Sequence, residues 1–250
     1  IAFLASDSPE AREAAKTLTA RHGNADPDKA DCVVALGGDG LMLQALHRFV
    51  STGIPIYGMN RGSIGFLMND FDEERLLERI NAAERAVIHP LAMTALDTDG
   101  KTHQALAINE VSLLRETRQT AKLEVKVNGK VRMAELAGDG VLVATPAGST
   151  AYNLSANGPI LPLGSGMLAL TPLSPFRPRR WKGAILPDSA EVCFCVREPE
   201  KRPVAAVADQ KEVRNVSEVQ ISVARHLQLT LLFDPGKSLE ERIFAEQFQV

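Results

Sequence analysis

The sequence predicts a doubly wound α/β domain followed by a β-rich domain. In the first 60 residues, short apolar runs rich in β-branched residues alternate with runs of helical spacing, which favours a parallel sheet with helices on both faces. From about Pro90 the pattern changes to successive strand-like runs, and Asn128-Gly129 lies between two of them as a strong hairpin signal. We therefore predict a domain boundary near residue 89.

The first domain opens with a buried strand at residues 1–6 (IAFLAS) and a helix at residues 9–23. Pro9 in the first turn and Gly23 just past the end are typical of the two ends of a helix. The alternation then continues as strand, helix and strand, at residues 31–38, 39–50 and 54–60.

Strands dominate the second part, and we predict them at residues 92–98, 103–115, 121–136 and 140–146. The last segment, residues 238–250, has Ser238 as a possible N-cap and the apolar spacing of a short helix. We predict a first domain over residues 1–89, on which this tail packs back, and a second domain over residues 90–237.

Composition excludes several classes of protein. The chain has 250 residues, 45% of them hydrophobic, and 28 basic against 31 acidic side chains give a net charge of −3, which is ordinary for a globular protein and argues against a nucleic-acid binder. No apolar run approaches the roughly 20 residues of a membrane helix. The cysteines, Cys32, Cys193 and Cys195, are too few for a disulfide framework or a four-ligand zinc site, and the last two are expected to pack in the core. The five histidines fall in no metal-ligand spacing, so we predict no metal site and a reduced, cytoplasmic setting.

The sharpest local motif is GGDG at residues 37–40, directly after a predicted buried strand and before a predicted helix. Glycines let backbone N–H groups approach a phosphate, and the start of a helix favours negative charge there. Asp39 does not suit simple phosphate binding, but it fits a proton acceptor or a group that meets a phosphate-bound Mg²⁺. The alternative is that Asp39 only caps the helix.

Two further clusters carry polar groups. Asn109 and Glu110 fall in the middle of a predicted strand, where they suit a ribose and an adenine edge or form a water-facing pair on an edge strand. Residues 138–160 (GDGVLVATPAGSTAYNLSANGPI) bring glycine turns and hydroxyls together with Tyr152, whose flat face suits a base or amide ring. The alternative is a turn-rich hairpin with a helix starting at residues 148–152.

Five blocks together resemble the NAD kinase family, in matching order and over nearly the whole chain. They are VALGGDGLML, YGMNRGSIGFL, INEVSL, DGVLVATPAGSTAYNLSANGPI and PVAAVADQ. The resemblance implies ATP-dependent phosphorylation of the 2′-hydroxyl of the adenosine ribose of NAD, with a divalent cation such as Mg²⁺ accompanying ATP. It also implies an active site between the two domains and a homodimer or homotetramer.

The resemblance implies roles for individual residues. Asp39 is the proton acceptor, with Gly38 and Gly40 beside it at the ribose and phosphates. Asn109 and Glu110 bind the ribose and diphosphate region of NAD, and Asp139 reaches its nicotinamide half. The adenine and neighbouring groups are held by Thr150, Ala151, Tyr152, Asn153, Leu154 and Ser155, with Gln210 as a further binding residue.

Two other functions compete with this interpretation. A lipid kinase of the diacylglycerol type shares the GGDG motif, but it would need an apolar groove where this sequence has a polar nucleotide-style block. A non-catalytic NAD(P)-binding regulatory module is suggested by Leu41 and Ala137, since many family members carry Thr after GGDG and a basic residue near Asp139.

Overall fold

The computed structural model describes residues 1–62 and 65–248 of the chain. Residues 63–64 of the YGMNRGSIGFL block and residues 249–250 of the tail lie outside this part. The described residues hold no helix that is both long and apolar enough to cross a membrane.

Seventeen strands and five α-helices occur in the described residues. The strands are β1 (Ala2–Ala5), β2 (Val33–Gly37), β3 (Ile56–Asn60), β4 (Glu84–Ile88), β5 (Leu91–Asp97), β6 (Thr102–Ala107), β7 (Glu110–Arg115), β8 (Ala121–Val127), β9 (Lys130–Gly138), β10 (Gly140–Ala144), β11 (Met167–Leu173), β12 (Ala184–Pro187), β13 (Val192–Val196), β14 (Val204–Ala208), β15 (Lys211–Val213), β16 (Val216–Val223) and β17 (Leu229–Phe233). The helices are α1 (Pro9–His22), α2 (Asp39–Phe49), α3 (Leu76–Ala82), α4 (Tyr152–Ser155) and α5 (Leu239–Glu246).

Contacts divide the chain into two compact units, and the first combines residues 1–89 with residues 225–250. Its sheet has the order β1-β2-β3-β17-β4, with β1, β2, β3 and β17 parallel and β4 antiparallel at the edge. The parallel core predicted for the first 60 residues is therefore confirmed. Residues 225–237, which we expected in the second domain, lie in this unit because β17 pairs with β3 and β4.

The helix ends of the first unit follow from local chemistry. The side chain of Ser8 accepts the N–H of Ala11 at 3.2 Å and caps α1, and Gly23 follows the last turn with φ +74°. At the other end of the chain, Ser238 accepts the N–H of Glu241 at 3.3 Å and caps α5. Gly23 and Ser238 were among the signals that predicted these helices, whereas the Ser8 cap was not anticipated.

The second unit, residues 90–224, contains two antiparallel six-stranded sheets. Their orders are β12-β11-β10-β7-β14-β15 and β6-β5-β16-β13-β8-β9, and side chains from both form one buried hydrophobic cluster. The predicted hairpin at Asn128-Gly129 is confirmed, because both residues adopt the left-handed backbone that a two-residue turn requires, with φ of 52° and 72°.

Two expectations about the second unit are wrong. Asn109 does not lie mid-strand, because β6 ends at Ala107, β7 begins at Glu110, and the two strands belong to different sheets. Cys193 and Cys195 share a face of β13 as expected, but they are only partly buried. They alternate with core residues such as Phe194, so they point away from the hydrophobic cluster, with sulfur atoms 3.9 Å apart.

Candidate active site

Asp39 is the first residue of α2 and follows Gly37, which ends β2, and Gly38. The N-cap of α2 is Gly38, which has no side chain, so Asp39 does not cap the helix. Its Oδ2 accepts the backbone N–H of Phe66 and its Oδ1 accepts that of Leu67, both at 2.8 Å. Because each carboxylate oxygen has two lone pairs, each keeps one for a further partner.

Gly40, the next residue of α2, leaves open space where a side chain would begin. It is exposed, and a methyl group added there would have no contact within 4 Å. The N–H groups of the first turn of a helix lack partners within the helix and attract anions. The start of α2 thus combines a fixed carboxylate with an exposed glycine.

Asn109 and Glu110 form a corner where the chain leaves one sheet of the second unit for the other. The carboxylate of Asp209 accepts three consecutive backbone N–H groups of this corner, from Ile108 at 2.6 Å, Asn109 at 3.0 Å and Glu110 at 3.4 Å. Asp209 itself has a left-handed backbone, with φ 49°. Sequence reasoning missed this role of Asp209, although the turn-forming pair Asp209-Gln210 between two apolar runs was a signal for it.

The turn at residues 145–148, called here the TPAG turn, packs directly on the same corner. Thr145 donates its hydroxyl to the carbonyl of Ile108 at 2.7 Å and its N–H to that of Asn109 at 2.9 Å. A Cβ at Gly148 would lie 2.2 Å from the carbonyl oxygen of Asn109, so only glycine fits. Two motifs that are separated in sequence thus form one structural cluster.

Glu110 is an unusual carboxylate in this cluster. Its Oε2 is buried and has no hydrogen-bond partner within the described structure. Burial, and secondly the charge of Asp209, raises the pKa of Glu110 to about 7. The alternative of a water-facing edge pair is wrong for Glu110, because β7 lies inside its sheet between β10 and β14.

A cavity of about 690 Å³ opens on the second unit, within the size range of ligand pockets. It is lined by Asp139, Tyr152 and Ser155, which the sequence singled out, and by aromatic and basic side chains that include Trp181 and Arg179. The carboxylate of Asp139 accepts a hydrogen bond from Nε of Arg115 at 2.6 Å. Arg115 was missed from sequence, because it lies 24 residues before Asp139 and meets it only through strand pairing.

Tyr152 is the first residue of α4 and presents its ring to this cavity with 39% of its surface exposed. Burial raises the pKa of its hydroxyl, and the charges of Glu110 and Asp139 add to this effect. The ring is therefore a neutral and accessible flat surface beside two acidic side chains.

The other predicted binding residues differ from Tyr152 in how far they are exposed. Asn153 is fully buried, donating to the carbonyls of Ser149 and Pro159 and accepting the hydroxyl of Thr171 at 2.6 Å. Ser155 is exposed at the cavity, whereas three residues are partly buried, namely Thr150, Ala151 and Leu154. Gln210 is exposed in the turn that carries Asp209.

The glycine turn with its fixed carboxylate, and the polar cavity of nucleotide size, define the class of nucleotide-dependent phosphotransferases. Two models of known protein families match this chain. The ATP-NAD kinase N-terminal domain matches residues 2–85, and the ATP-NAD kinase C-terminal domain matches residues 108–231. The chain therefore belongs to the NAD kinase family, and it is a kinase.

Curated relatives extend the match over the full chain. The NAD kinase of Caulobacter vibrioides is 64% identical over 99% of this chain and 95% of its own length. The NAD kinase of Hyphomonas neptunium is 56% identical over 99% of this chain and 97% of its own length.

Solved structures share the fold at lower identity. An NAD kinase from Archaeoglobus fulgidus in complex with ATP has a TM-score of 0.77 and 23% identity, covering 98% of this chain and 97% of that one. Yeast NADH kinase complexed with NADH has a TM-score of 0.76 and 23% identity, covering 89% of this chain and 68% of that one.

Proposed function

We propose that this chain transfers the γ-phosphoryl group of ATP to the 2′-hydroxyl of the adenosine ribose of NAD, with Asp39 as the proton acceptor. The observation that carries the role of Asp39 is its pair of backbone hydrogen bonds, which fix the carboxylate at the start of α2. A general base needs this kind of fixed position within hydrogen-bond reach of the proton that it removes.

The work of Asp39 is to orient the hydroxyl and to take its proton as the oxygen attacks phosphorus. The backbone N–H groups at the start of α2, including that of Gly40, offset negative charge on the transferred phosphoryl group. Phosphoryl transfer involves little covalent chemistry by the protein, so positioning and electrostatics supply the rate.

The other proposed NAD-binding residues belong to the second unit. Asn109 and Glu110 bind the ribose and diphosphate region, Tyr152 stacks on a ring, and Asp139 contacts the nicotinamide half. We assign Asn153 to holding the segment in place, since both its N–H groups are used internally. Thr150, Ala151, Leu154, Ser155 and Gln210 remain proposed contacts, and Ser155 has the most direct support because it lines the cavity.

A divalent cation accompanies ATP in this proposal. Mg²⁺ is held in such sites by one or two carboxylates together with phosphate oxygens and water. The glycine turn offers one carboxylate, that of Asp39, with a lone pair left on each oxygen, so the residues present fit a cation carried by the nucleotide. When bound, the cation neutralises charge on the phosphates.

The lipid-kinase alternative has less support, because the cavity lining is partly charged, with Asp139, Arg179 and Lys182 among its residues. The regulatory module differs from an enzyme only in turnover.

The deciding experiment measures NADP formation by the purified full chain from NAD and ATP, with EDTA, polyphosphate, NADH and diacylglycerol as separate arms. Absence of NADP in the Mg²⁺-containing reaction would rule out the proposal.

We also propose a homodimer or homotetramer in the cytoplasm. The oligomeric state rests on the family resemblance, and light scattering coupled to gel filtration tests it. The location is supported by the cysteines Cys32, Cys193 and Cys195, which are all free thiols, as expected in a reducing compartment.

A further inference from the structure

The two peptide groups that hold Asp39 are themselves held from their other side. The N–H of Phe66 belongs to the same planar peptide group as the carbonyl of Gly65, and the N–H of Leu67 to that of the Phe66 carbonyl. Nη1 of Arg242, on helix α5, donates to the carbonyl oxygens of Gly65 at 3.2 Å and Phe66 at 3.1 Å. Each peptide group therefore lies between the Arg242 guanidinium and one oxygen of the Asp39 carboxylate.

We propose that Arg242 is a positioning residue for Asp39, acting through the Gly65-Phe66 and Phe66-Leu67 peptide groups. It fixes the carboxylate in the orientation that accepts the ribose proton, and in this respect the inference rests on the proposed function. Helix α5 thereby helps to position the catalytic carboxylate, although Arg242 is 203 positions from Asp39 in the sequence.

The positive charge of Arg242 strengthens the hydrogen bonds that these peptide groups donate to Asp39. A cation that binds a peptide carbonyl polarises the peptide group and strengthens the hydrogen bond that its N–H donates, by about 10–30% per bond. The bonds at both ends are charge-assisted, which makes them stronger than bonds between neutral groups. The loop also packs closely, since a Cβ at Gly65 would lie 2.9 Å from side-chain atoms of Asn60 and Met68.

Arg242 is itself held in place. Its Nε donates to the carbonyl of Lys237 at 3.1 Å, and its guanidinium carbon lies 5.3 Å from the centre of the Phe233 ring. The neighbouring residue Ile243 and Leu239 are fully buried and anchor the helix. Burial lowers the pKa of Arg242, against the charges of nearby carboxylates that include Asp39, but an arginine side chain stays protonated in proteins.

The first experiment tests the contact without any assay of activity, using dipeptide labelling of the full, unliganded chain. Labelling with ¹³C′-glycine and ¹⁵N-phenylalanine gives one signal, because Gly65-Phe66 is the only Gly-Phe pair in the sequence. Labelling with ¹³C′-phenylalanine and ¹⁵N-leucine gives two signals, Phe66-Leu67 and Phe3-Leu4, of which the second is an internal reference.

Arg242→Ala should move the Phe66 and Leu67 amide protons upfield, with Phe3-Leu4 unchanged. Lys237→Ala is the matched control, because it removes the ion pair of the same tail with Asp70 but no contact to these two peptide groups. Unmoved amides in folded Arg242→Ala protein would overturn the proposal. If that variant does not fold, Arg242→Lys and Arg242→Gln give the same test, and Lys should keep the signals closer to those of the wild type than Gln does.

The second experiment separates positioning from a purely structural role. Arg242→Ala should lower kcat by about 10-fold to 10²-fold, because a small misplacement of a reacting group is costly, while KM for NAD stays near the wild-type value. Arg242→Lys should restore part of kcat, and Lys237→Ala should behave as the wild type. Shifted amides together with a wild-type kcat would overturn the positioning role. An inactive wild type would overturn the proposed function, and the amide signals would then still decide whether Arg242 holds the loop.

Discussion

The carboxylate of Asp209 accepts the backbone N–H of Glu110 at 3.4 Å, and its negative charge adds to the burial that raises the pKa of the Glu110 side chain to about 7. The same residue therefore stabilises the backbone of the corner and destabilises the charged form of the side chain. Perturbed carboxylates of this kind are frequent at functional sites. Among the described residues Oε2 of Glu110 has no partner, so a ligand hydroxyl that donates to it would satisfy this buried acceptor.

This relationship predicts a stability that depends on pH. The ordinary pKa of a glutamate, 4.5, lies below the value of about 7 in the folded chain, so between these values the folded state holds a proton that the unfolded state has lost. Stability should therefore fall as pH rises from 4.5 to 7, by up to about 3 kcal/mol, and the loss should be complete above 7.

Glu110→Gln should remove this component, and urea unfolding at pH 5 and pH 8 measures it. The variant should lose less stability between the two pH values than the wild type does. Glu200→Gln, at an exposed position, is the control and should keep the wild-type dependence. An identical pH dependence in Glu110→Gln and wild type would contradict the assignment.

A second prediction concerns Gly148, where a Cβ would lie 2.2 Å from the carbonyl oxygen of Asn109. The backbone must move to accept even a methyl group, and such overpacking costs about 1–3 kcal/mol or more. Gly148→Ala should lower the free energy of unfolding by this amount and weaken NAD binding through the displaced corner. Unchanged thermal unfolding would show that the TPAG turn does not pack on the corner in solution.

Gly40 should respond in the opposite way, because a methyl group added there meets nothing within 4 Å. Gly40→Ala should leave stability unchanged or raise it by up to about 1 kcal/mol, since alanine is the better helix former. If the phosphates of ATP occupy this space, KM for ATP should rise or kcat should fall. A variant with wild-type kinetics would place the phosphates elsewhere.

Tyr152 should contribute to binding more than to folding, because 39% of its surface is exposed at the cavity. Tyr152→Ala loses a stacking face worth about 0.5–1.5 kcal/mol beyond its buried area, so NAD should bind several-fold more weakly. Tyr152→Phe keeps the face and should bind NAD almost as well as the wild type. Calorimetry with NAD measures both, and an unchanged affinity in Tyr152→Ala would exclude stacking.

The sequence predicted what depends on local signals and missed what depends on distant pairing. Pro9 and Gly23 predicted α1, Ser238 predicted α5, and Asn128-Gly129 predicted a hairpin. Strand β17 was missed as part of the first sheet, because nothing within residues 229–233 shows which sheet it joins.

In the candidate site, too, residues marked by a local motif were predicted and distant partners were missed. The GGDG motif predicted Asp39. The apolar pattern around Asn109 could not show the break between β6 and β7, because it is the same whether a strand continues or turns a corner. The partners Asp209, Arg115 and Arg242 lie 24 to 177 positions from the residues that they contact, and only folding brings them together.

The last prediction concerns Asp39, whose two carboxylate oxygens each accept a backbone N–H. In Asp39→Asn, the amide nitrogen replaces one of these acceptors and faces a backbone N–H, so the variant should lose about 1–3 kcal/mol of stability. If Asp39 accepts the ribose proton, kcat should also fall by about 10²–10⁴-fold, the usual effect of losing a general base. NAD affinity should fall much less, because the remaining carbonyl oxygen can still accept a hydrogen bond from the hydroxyl. The measurement is NADP production and NAD binding on the same preparation, with the folded fraction checked by thermal unfolding. Near-normal turnover in folded protein would leave Asp39 as a loop anchor alone, since its backbone bonds would then be its whole contribution.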